Sequence, residues 1–276
     1  QEGHVNRVAR AKEELKELLS KWKDADVEAY LAKGYDDYWL SYDAPSHAHH
    51  AHIISNADDK GLDITIVDRV DSEREVSEVV IYTHDHPGVF ARIAGAMSLT
   101  NATILDAKIS TLAHGMALDT FWIQDINGGP FNKKESLKRL KGRIKDALNG
   151  KLQPSVELQK ARDKTMLSRT RVFKVPPRVL VDNSVSAKYT VIEVNGRDRL
   201  GFLNDATEAL TGIGLQIASA HISTYGERVV DVFYVKDVFG LRVEHEGKII
   251  QIKRALLNAI DPPKNSRDDK LGKKSK

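Results

Sequence analysis

The sequence "VVIYTHDHPGVFARIAGAM" (residues 79–97) recurs in the second half of the chain as "TVIEVNGRDRLGFLNDATEAL" (residues 190–210). In each copy an apolar run typical of a strand meets a turn that contains Gly, and an apolar run with helical spacing follows. A shift of 113 residues aligns the two turns, and it also places the "IST" of residues 109–111 on that of residues 222–224. The chain therefore contains two copies of one structural unit.

The hydrophobic pattern around each copy predicts strands and helices in the order β-β-α-β-β-α. Only "DPPK" and a charged tail follow the helix predicted for residues 247–260, so no further strand is available there. We therefore expect a leading strand to complete each sheet. Residues 63–69 should pair antiparallel with residues 79–83, and residues 179–182 with residues 190–195.

The composition predicts a globular protein without disulfides. The 276 residues are 41% hydrophobic and contain no Cys, which excludes disulfides, thiolate metal sites and a Cys nucleophile. No run approaches the ~18 to 20 apolar residues that cross a bilayer, and the first residues lack a signal-peptide segment. The net charge is +3, of which residues 264–276 contribute +4, so the remainder is nearly neutral and has no electrostatic signature for nucleic acid. We expect a cytoplasmic protein that binds neither membranes nor nucleic acid, with a disordered basic tail at residues 262–276.

Residues 1–56 are predicted to be helical. Their aromatic stretch "YDDYWLSYD" (residues 35–43) needs a surface to pack against. Because the sequence does not begin with Met, we expect this segment to be the end of a larger upstream catalytic region. Residues 151–171 are polar and are predicted to link the two copies. The first helix should bury one face formed by Val8, Leu15, Leu18, Leu19 and Trp22.

The two turns share the pattern Asp-x-x-Gly, with Asp85 and Gly88 in the first copy and Asp198 and Gly201 in the second. Gly permits close approach of a ligand, and the free N–H groups at a helix start can hold a carboxylate, while an adjacent Asp could meet an ammonium group. Together these groups suit a free amino acid. Alternatively, Asp caps the helix and Gly only makes the turn, and the residues alone favour this second interpretation.

The repeat also tests whether the first turn is a metal site. His84 and His86, which flank Asp85, are replaced by Arg197 and Arg199 in the second copy. A catalytic metal ligand shared by both copies should recur. A metal-dependent phosphohydrolase site built on His84 and Asp85 is therefore disfavoured.

A histidine cluster lies in "SHAHHAHI" (residues 46–53). Imidazoles bind Zn²⁺ or Ni²⁺, but no carboxylate or thiolate lies among these residues and neither copy of the repeat contains the motif. We predict an exposed helix start without a specific metal site. The cluster comprises His47, His49, His50 and His52.

The strands after each turn carry further matched residues. The Ser-Thr pairs at residues 110–111 and 223–224 have no His or Asp placed to activate them as nucleophiles, so we expect them to hydrogen-bond a ligand or the backbone. After a deletion of one residue in the following hairpin, Asp119 aligns with Asp231.

With these motifs in place, the chain resembles tandem ACT domains, which bind amino acids and regulate metabolic enzymes. The stretches "YDDYWLSYD", "FKVPPRVLVDN" (residues 173–183) and "ISTYGERVVDVFYVKD" (residues 222–237) are similar to the region that closes the bifunctional PII uridylyltransferase/uridylyl-removing enzymes. The resemblance implies an α+β fold of two tandem ACT-like (ferredoxin-like, permuted βαββαβ) domains after a helical segment. The first domain would span residues 62–150 and the second residues 172–261.

The resemblance also implies a function. This family attaches UMP to the signalling protein PII when nitrogen is scarce and removes it when glutamine is plentiful, and its ACT pair is thought to sense the glutamine. The family's nucleotidyltransferase and His-Asp hydrolase domains are not visible in this sequence, and the Mg²⁺ expected for them has no counterpart here. We therefore expect a sensor with no cofactor and no catalytic residues of its own, which is inactive alone and acts on PII through the full-length enzyme.

Ligand-binding residues carried over from the resemblance lie at the two turns and at the start of the strand that follows each helix. Pro87 is replaced by Leu200 in the second copy, so equal affinity at the two turns is not expected. The alternative is a non-catalytic ACT-type interaction module that assembles a partner without binding an amino acid. The predicted ligand residues are Asp85, Pro87, Gly88, Asn101 and Ile104 in the first copy, and Asp198, Gly201, Phe202, Ile213 and Gly214 in the second.

Overall fold

The computed structural model describes residues 2–166 and 175–261, and its first part is helical. Asp43 caps the fourth helix by accepting a 2.9 Å hydrogen bond from the amide of Ser46, and Gly61 ends that helix with a φ of 60°. Four helices occupy most of residues 1–56, the segment predicted to be helical. They are α1 (Glu2–Leu18), α2 (Asp24–Leu31), α3 (Asp36–Ser41) and α4 (Ala44–Lys60).

Two repeats follow, and each has the predicted β-β-α-β-β-α order. The first contains β1 (Ile64–Asp71), β2 (Val76–His84), α5 (Val89–Ser98), β3 (Ala102–Thr111), β4 (Met116–Asp125) and α6 (Lys134–Leu148). Helix α7 (Pro154–Met166) stands between the repeats. The second contains β5 (Arg178–Asp182), β6 (Thr190–Arg197), α8 (Phe202–Gly212), β7 (Gln216–Tyr225), β8 (Arg228–Lys236) and α9 (Glu246–Ile260). No helix within the described ranges is long and apolar enough to cross a membrane.

The strands form one eight-stranded sheet in the order β1-β2-β4-β3-β7-β8-β6-β5, and all neighbouring strands are antiparallel. The leading strands pair as predicted, with Ile64 opposite Thr83 in the first repeat and Arg178 opposite Asn195 in the second. Each repeat therefore contributes a permuted four-stranded sheet, and the two halves join where β3 meets β7.

The junction between the halves is short and symmetric. Residues 106–108 of β3 pair with residues 219–221 of β7, and Ala107 lies opposite Ala220 at the centre. These two alanines are separated by the repeat shift of 113 residues, so they are equivalent positions in the two copies. A pseudo-twofold axis therefore passes between them.

Alternate residues of the first repeat's strands contribute to two separate cores, because successive side chains of a strand point to opposite faces. Val79 and Ile81 of β2 pack with α5, α6, α8 and α9 in a core shared by both repeats. Val80 and Tyr82 pack instead against α1, α2, α3 and α4. Strand β2 is buried on both faces, which explains why it reads as a continuous apolar run.

Three segments differ from the sequence predictions or lie outside the described residues. Leu18 was predicted to be buried but is 52% exposed, because α1 ends there and Leu19 occupies the buried position. The predicted linker, residues 151–171, contains α7, and its last residues are outside the described ranges. The predicted basic tail, residues 262–276, also lies outside them.

Candidate functional site

Both Asp-x-x-Gly turns adopt the left-handed conformation that favours Gly. Gly88 has a φ of 87° and Gly201 a φ of 80°, and they precede α5 and α8 directly. Among the described residues no side chain caps either helix, so the interpretation of Asp85 and Asp198 as helix caps is wrong. Instead, Asp85 Oδ2 accepts a 3.0 Å hydrogen bond from Thr111 Oγ1, which ties the first turn to the end of β3.

Each turn lies near a second carboxylate, which belongs to the central strand of its repeat. Asp119 on β4 and Asp231 on β8 are each 1% exposed, and the Oδ1 atom of each has no hydrogen-bond partner among the described residues. Burial, together with the charge of Asp85, raises the pKa of Asp119 to about 8. Burial likewise raises the pKa of Asp231 to about 8, with a smaller contribution from the charge of Asp198. Buried carboxyl oxygens without a hydrogen-bond partner are rare, which makes these two residues candidates for ligand contact.

These two residues were missed as site residues in the sequence. The available signal was a matched Asp in the middle of each apolar strand, as in "MALDTFWI" (residues 116–123). A charged residue at such a position is buried on one face of the sheet, and it requires either a partner or a function.

The first turn opens into a cavity of about 790 Å³, which is within the ~300–1,000 Å³ range of small-molecule pockets. Asp119 is part of its lining, although the residue is almost fully buried and its Oδ1 atom is closed to solvent in this conformation. The cavity lies where the two halves of the sheet part, since the β3–β7 ladder stops at Lys108 and Ser219. Its main walls are the first turn (residues 85–90), the end of β3 (residues 108–111), the start of β7 (residues 214–219) and helix α3.

The cavity brings together four of the predicted ligand residues. Asp85, Pro87 and Gly88 from the first repeat face Gly214 from the second. The segment that leads into β7 of the second repeat therefore lies across the cavity from the first turn. Ile213 lies instead in a smaller cavity of about 450 Å³ next to the loop after β8.

The other five predicted residues do not line this cavity. Asn101 is exposed with a φ of 61°, whereas Ile104 and Phe202 are buried in the shared core. Asp198 and Gly201 form the second turn, where burial raises the pKa of Asp198. The second turn is therefore not part of the same site, and its surroundings differ from those of the first.

Ammonium and carboxylate groups both lie around the cavity. Lys108 is half-buried, and burial lowers its pKa. Lys236 Nζ lies 3.2 Å from the carboxylate of Asp37 on α3. Burial alone would raise the pKa of Asp37, but hydrogen bonds from Lys188, Tyr189 and Lys236 lower it to about 2. The cavity thus offers charges of both signs, as a zwitterionic ligand requires.

The histidine cluster is structural, and the predicted exposed helix start is wrong for two of its members. His47 and His50 are 0% and 1% exposed, because α4 turns them toward the aromatic residues of α3. His50 Nδ1 lies 3.0 Å from the hydroxyl of Tyr38, and burial lowers the pKa of His50 to about 3. Within the described ranges, no group of three His, Cys, Asp or Glu side chains could hold a metal ion.

Comparison with known domains agrees with this architecture. The sequence profile of the ACR family N-terminal ACT domain matches residues 185–260, which lie in the second repeat. The first repeat has the same element order and a related turn. The fold is accordingly α+β, with tandem ACT-like domains preceded by helices.

Three similar proteins carry the same description, "Bifunctional uridylyltransferase/uridylyl-removing enzyme". The protein from Rhodospirillum rubrum is 48% identical over 259 residues, which is 94% of this chain and 28% of the relative. The protein from Azospirillum brasilense is 48% identical over 263 residues, covering 95% and 28%. The protein from Gluconobacter oxydans is 41% identical over 237 residues, covering 86% and 25%. The chain thus spans little more than a quarter of the length of these relatives.

Proposed function

Because this chain is homologous to the C-terminal part of bifunctional uridylyltransferase/uridylyl-removing enzymes and contains an ACT domain, we propose that it senses glutamine and regulates such an enzyme. The full-length enzyme would act on the PII signalling protein, and this region would supply the signal. The observation that carries the proposal is the buried carboxyl group of Asp119, whose Oδ1 atom has no hydrogen-bond partner among the described residues and which lines, with Asp85, a cavity between the two repeats.

The ligand's ammonium group binds between the two carboxyl groups. Asp85 and Asp119 interact unfavourably when both are charged, and Asp119 lacks a hydrogen-bond partner on Oδ1. A cation at this position supplies the missing hydrogen bond and favours the charged form of Asp119. Hydrogen bonds to charged groups contribute roughly 1.5–3 kcal/mol each, enough for about 10- to 100-fold in affinity.

The ligand's carboxylate binds at the start of α5. The amide of Val89 donates to the carbonyl of His86, so the N–H groups offered to an anion are those of Phe90 and Ala91, which have no acceptor among the described residues. The positive end of the helix dipole favours an anion at the same place. Asp85 and this helix start are three residues apart, so one turn contacts both charged groups of an amino acid.

The opposite wall suits an uncharged polar side chain. The start of β7 contributes Gln216 and Ser219, which can exchange hydrogen bonds with an amide. The lysine on this side, Lys236, is already paired with Asp37. Lys108, the other lysine in the lining, already donates to the carbonyl of Ser41. Glutamate would have to draw one of these two lysines from its present partner, so glutamine is the preferred ligand.

A ligand in this cavity contacts three parts of the chain at once. The walls come from the first repeat, the second repeat and α3 of the helical segment. Binding therefore favours the conformation in which these three parts are in contact. It thereby shifts the conformational equilibrium of any domain attached to the helical segment. In this proposal the catalytic residues lie outside the chain, which alone neither transfers UMP to PII nor removes it.

Calorimetry and thermal unfolding test the assignment. Binding to the folded state alone stabilises it by about 2.7 kcal/mol at a ligand concentration of ~100 times Kd. For a chain of this size, that corresponds to a rise in Tm of roughly 5–10 °C. Asp85→Ala and Asp119→Asn should each weaken glutamine binding by at least about tenfold, and glutamate should give a smaller shift than glutamine.

Asp146→Asn is the matched control, since it removes an exposed carboxylate on α6 that is not part of the cavity lining. It should leave the glutamine shift unchanged. If the folded parent binds no glutamine at millimolar concentration, the sensor assignment is wrong, and an interaction module that binds no amino acid becomes the better explanation. Unchanged affinity in both Asp85→Ala and Asp119→Asn would remove the first turn from the site.

A further inference from the structure

The two equivalent turns face different surroundings. A Cβ atom added to Gly88 would meet no atom within 4 Å. A Cβ atom added to Gly201 would lie 3.2 Å from Leu158 Cδ1 and 3.2 Å from Arg162 Nη1, both on α7. The first turn is open to the cavity, whereas the second is covered by the helix that links the repeats.

Helix α7 is anchored to the second turn by specific contacts. Arg162 Nη1 donates a 3.3 Å hydrogen bond to the carbonyl of Leu200 and a 2.6 Å hydrogen bond to Asp205 Oδ2. The side chains of Arg162 and Asp205 are each only 17% exposed, so water screens this pair weakly. Arg199 adds a 2.7 Å contact to the same carboxylate, and Leu158 is fully buried.

The repeat explains why α7 covers one turn and not the other. The position equivalent to Asp205 in the first repeat is Arg92, which would repel a guanidinium placed beside the first turn. The residue before the glycine is Leu200 in the second turn and Pro87 in the first. The acidic anchor for Arg162 therefore exists in the second copy alone.

We propose that α7 fills the ligand position at the second turn. An amino acid then binds at the first turn and is excluded from the second. This inference rests on the proposed sensing function for the identity of the ligand, but not for the occlusion itself. Leu158 and Arg162 occupy the space in front of Gly201 that is open in front of Gly88. Displacement of α7 would expose a second amino-acid site at Gly201 and Asp198, near the buried Asp231, whose Oδ1 atom has no partner among the described residues.

Binding stoichiometry tests the exclusion. The parent chain should bind one glutamine, and the double variant Leu158→Ala/Arg162→Ala should bind two. The control variant Val156→Ala/Lys160→Ala changes two exposed positions of the same helix. It should still bind one glutamine. If the double variant is poorly folded by circular dichroism, Arg162→Gln replaces it, with the same expected direction. Two bound ligands in the parent, or one in every folded variant, would overturn the inference.

Thiol labelling tests the occlusion without any ligand, because the chain contains no Cys. Leu158→Cys places a thiol at the buried contact with the second turn, and Val156→Cys places one at an exposed position of the same helix. Release of α7 by Arg162→Ala should raise the rate of maleimide labelling at position 158 severalfold and leave the rate at position 156 unchanged. If the parent binds no glutamine but position 158 becomes more reactive, the sensing proposal fails while the occlusion stands. Equal labelling rates with and without the release substitution would refute the occlusion directly.

Discussion

The Nδ2 atom of Asn204 on α8 donates a 2.8 Å hydrogen bond to the carbonyl of Ala91 on α5. These two residues are separated by the repeat shift of 113 residues, so equivalent positions of the two copies contact each other. The same is true of Ala107 and Ala220 in the sheet. The pseudo-twofold axis thus crosses both layers of the fold, and the two repeats share one continuous core.

Asn204→Ala should destabilise the protein by about 1–2 kcal/mol, because it removes a buried hydrogen bond between the repeats. Asn204 is fully buried, whereas Asn132 is exposed in a loop of the first repeat. Asn132→Ala should therefore change the free energy of unfolding by less than about 0.5 kcal/mol. Urea unfolding of both variants measures the difference, and equal effects would contradict a role for Asn204 in joining the repeats.

Gly95→Ala should destabilise the protein by about 1–3 kcal/mol, although Ala is normally preferred to Gly in a helix. A Cβ atom at this position would lie 2.5 Å from Pro154 Cβ and 2.9 Å from Asn204 Nδ2. Gly142 on α6 is the control, since a Cβ atom there meets nothing within 4 Å. Gly142→Ala should stabilise the protein by up to about 1 kcal/mol. Thermal unfolding that shows the same sign for both substitutions would refute the close packing of α5, α7 and α8.

The stability of the parent should depend on pH through Asp119, whose pKa is raised to about 8 in the folded state. Below a pH of about 4 the carboxyl group is protonated in both states, so it imposes no penalty. As the pH rises toward 8, the unfolded state ionises first, and the folded state loses stability relative to it. Asp119→Asn should remove this loss, so its advantage over the parent should increase between about pH 4 and 8 and then level off. A pH-independent difference in the free energy of unfolding would show that Asp119 is ionised in the fold.

Asp37→Ala should destabilise the contact between the helical segment and the second repeat by about 1 kcal/mol, since the pair is only partly buried. It removes the acceptor of hydrogen bonds from Lys188, Tyr189 and Lys236. Asp36→Ala is the control, because Asp36 is 61% exposed and contacts His4 alone among the described residues. The effect of Asp37→Ala should vanish as the pH falls from about 4 toward 2, where its carboxylate becomes protonated in the fold. Denaturant unfolding at pH 7 and near pH 2 checks both statements.

The strand pairing could be predicted because each element occurs twice in the sequence, and the two copies can be compared. The match of residues 79–97 to residues 190–210 located both turns, and the expectation that a leading strand completes each sheet correctly paired residues 63–69 with β2 and residues 179–182 with β6. For the site, Asp85, Pro87, Gly88 and Gly214 were predicted together and do line one cavity.

The remaining features depend on contacts that no local pattern encodes. A polar surface helix and a linker have similar composition, so α7 and its cover over Gly201 were not predicted. The burial of His47 depends on aromatic residues of α3, which meet it only after the chain has turned. Whether Asp119 Oδ1 has a hydrogen-bond partner likewise depends on which groups the fold brings next to it.

Helix α3 limits which part of this chain can be transferred to another protein by gene fusion. Its residues form one wall of the cavity, and the helices around it cover Tyr82 and Leu118 on the first repeat. A gene fusion that carried only the two duplicated domains would leave that apolar face in water and the cavity without a wall. The smallest transferable unit is therefore the pair of repeats together with the preceding helices, and recombination breakpoints within residues 35–60 should be selected against.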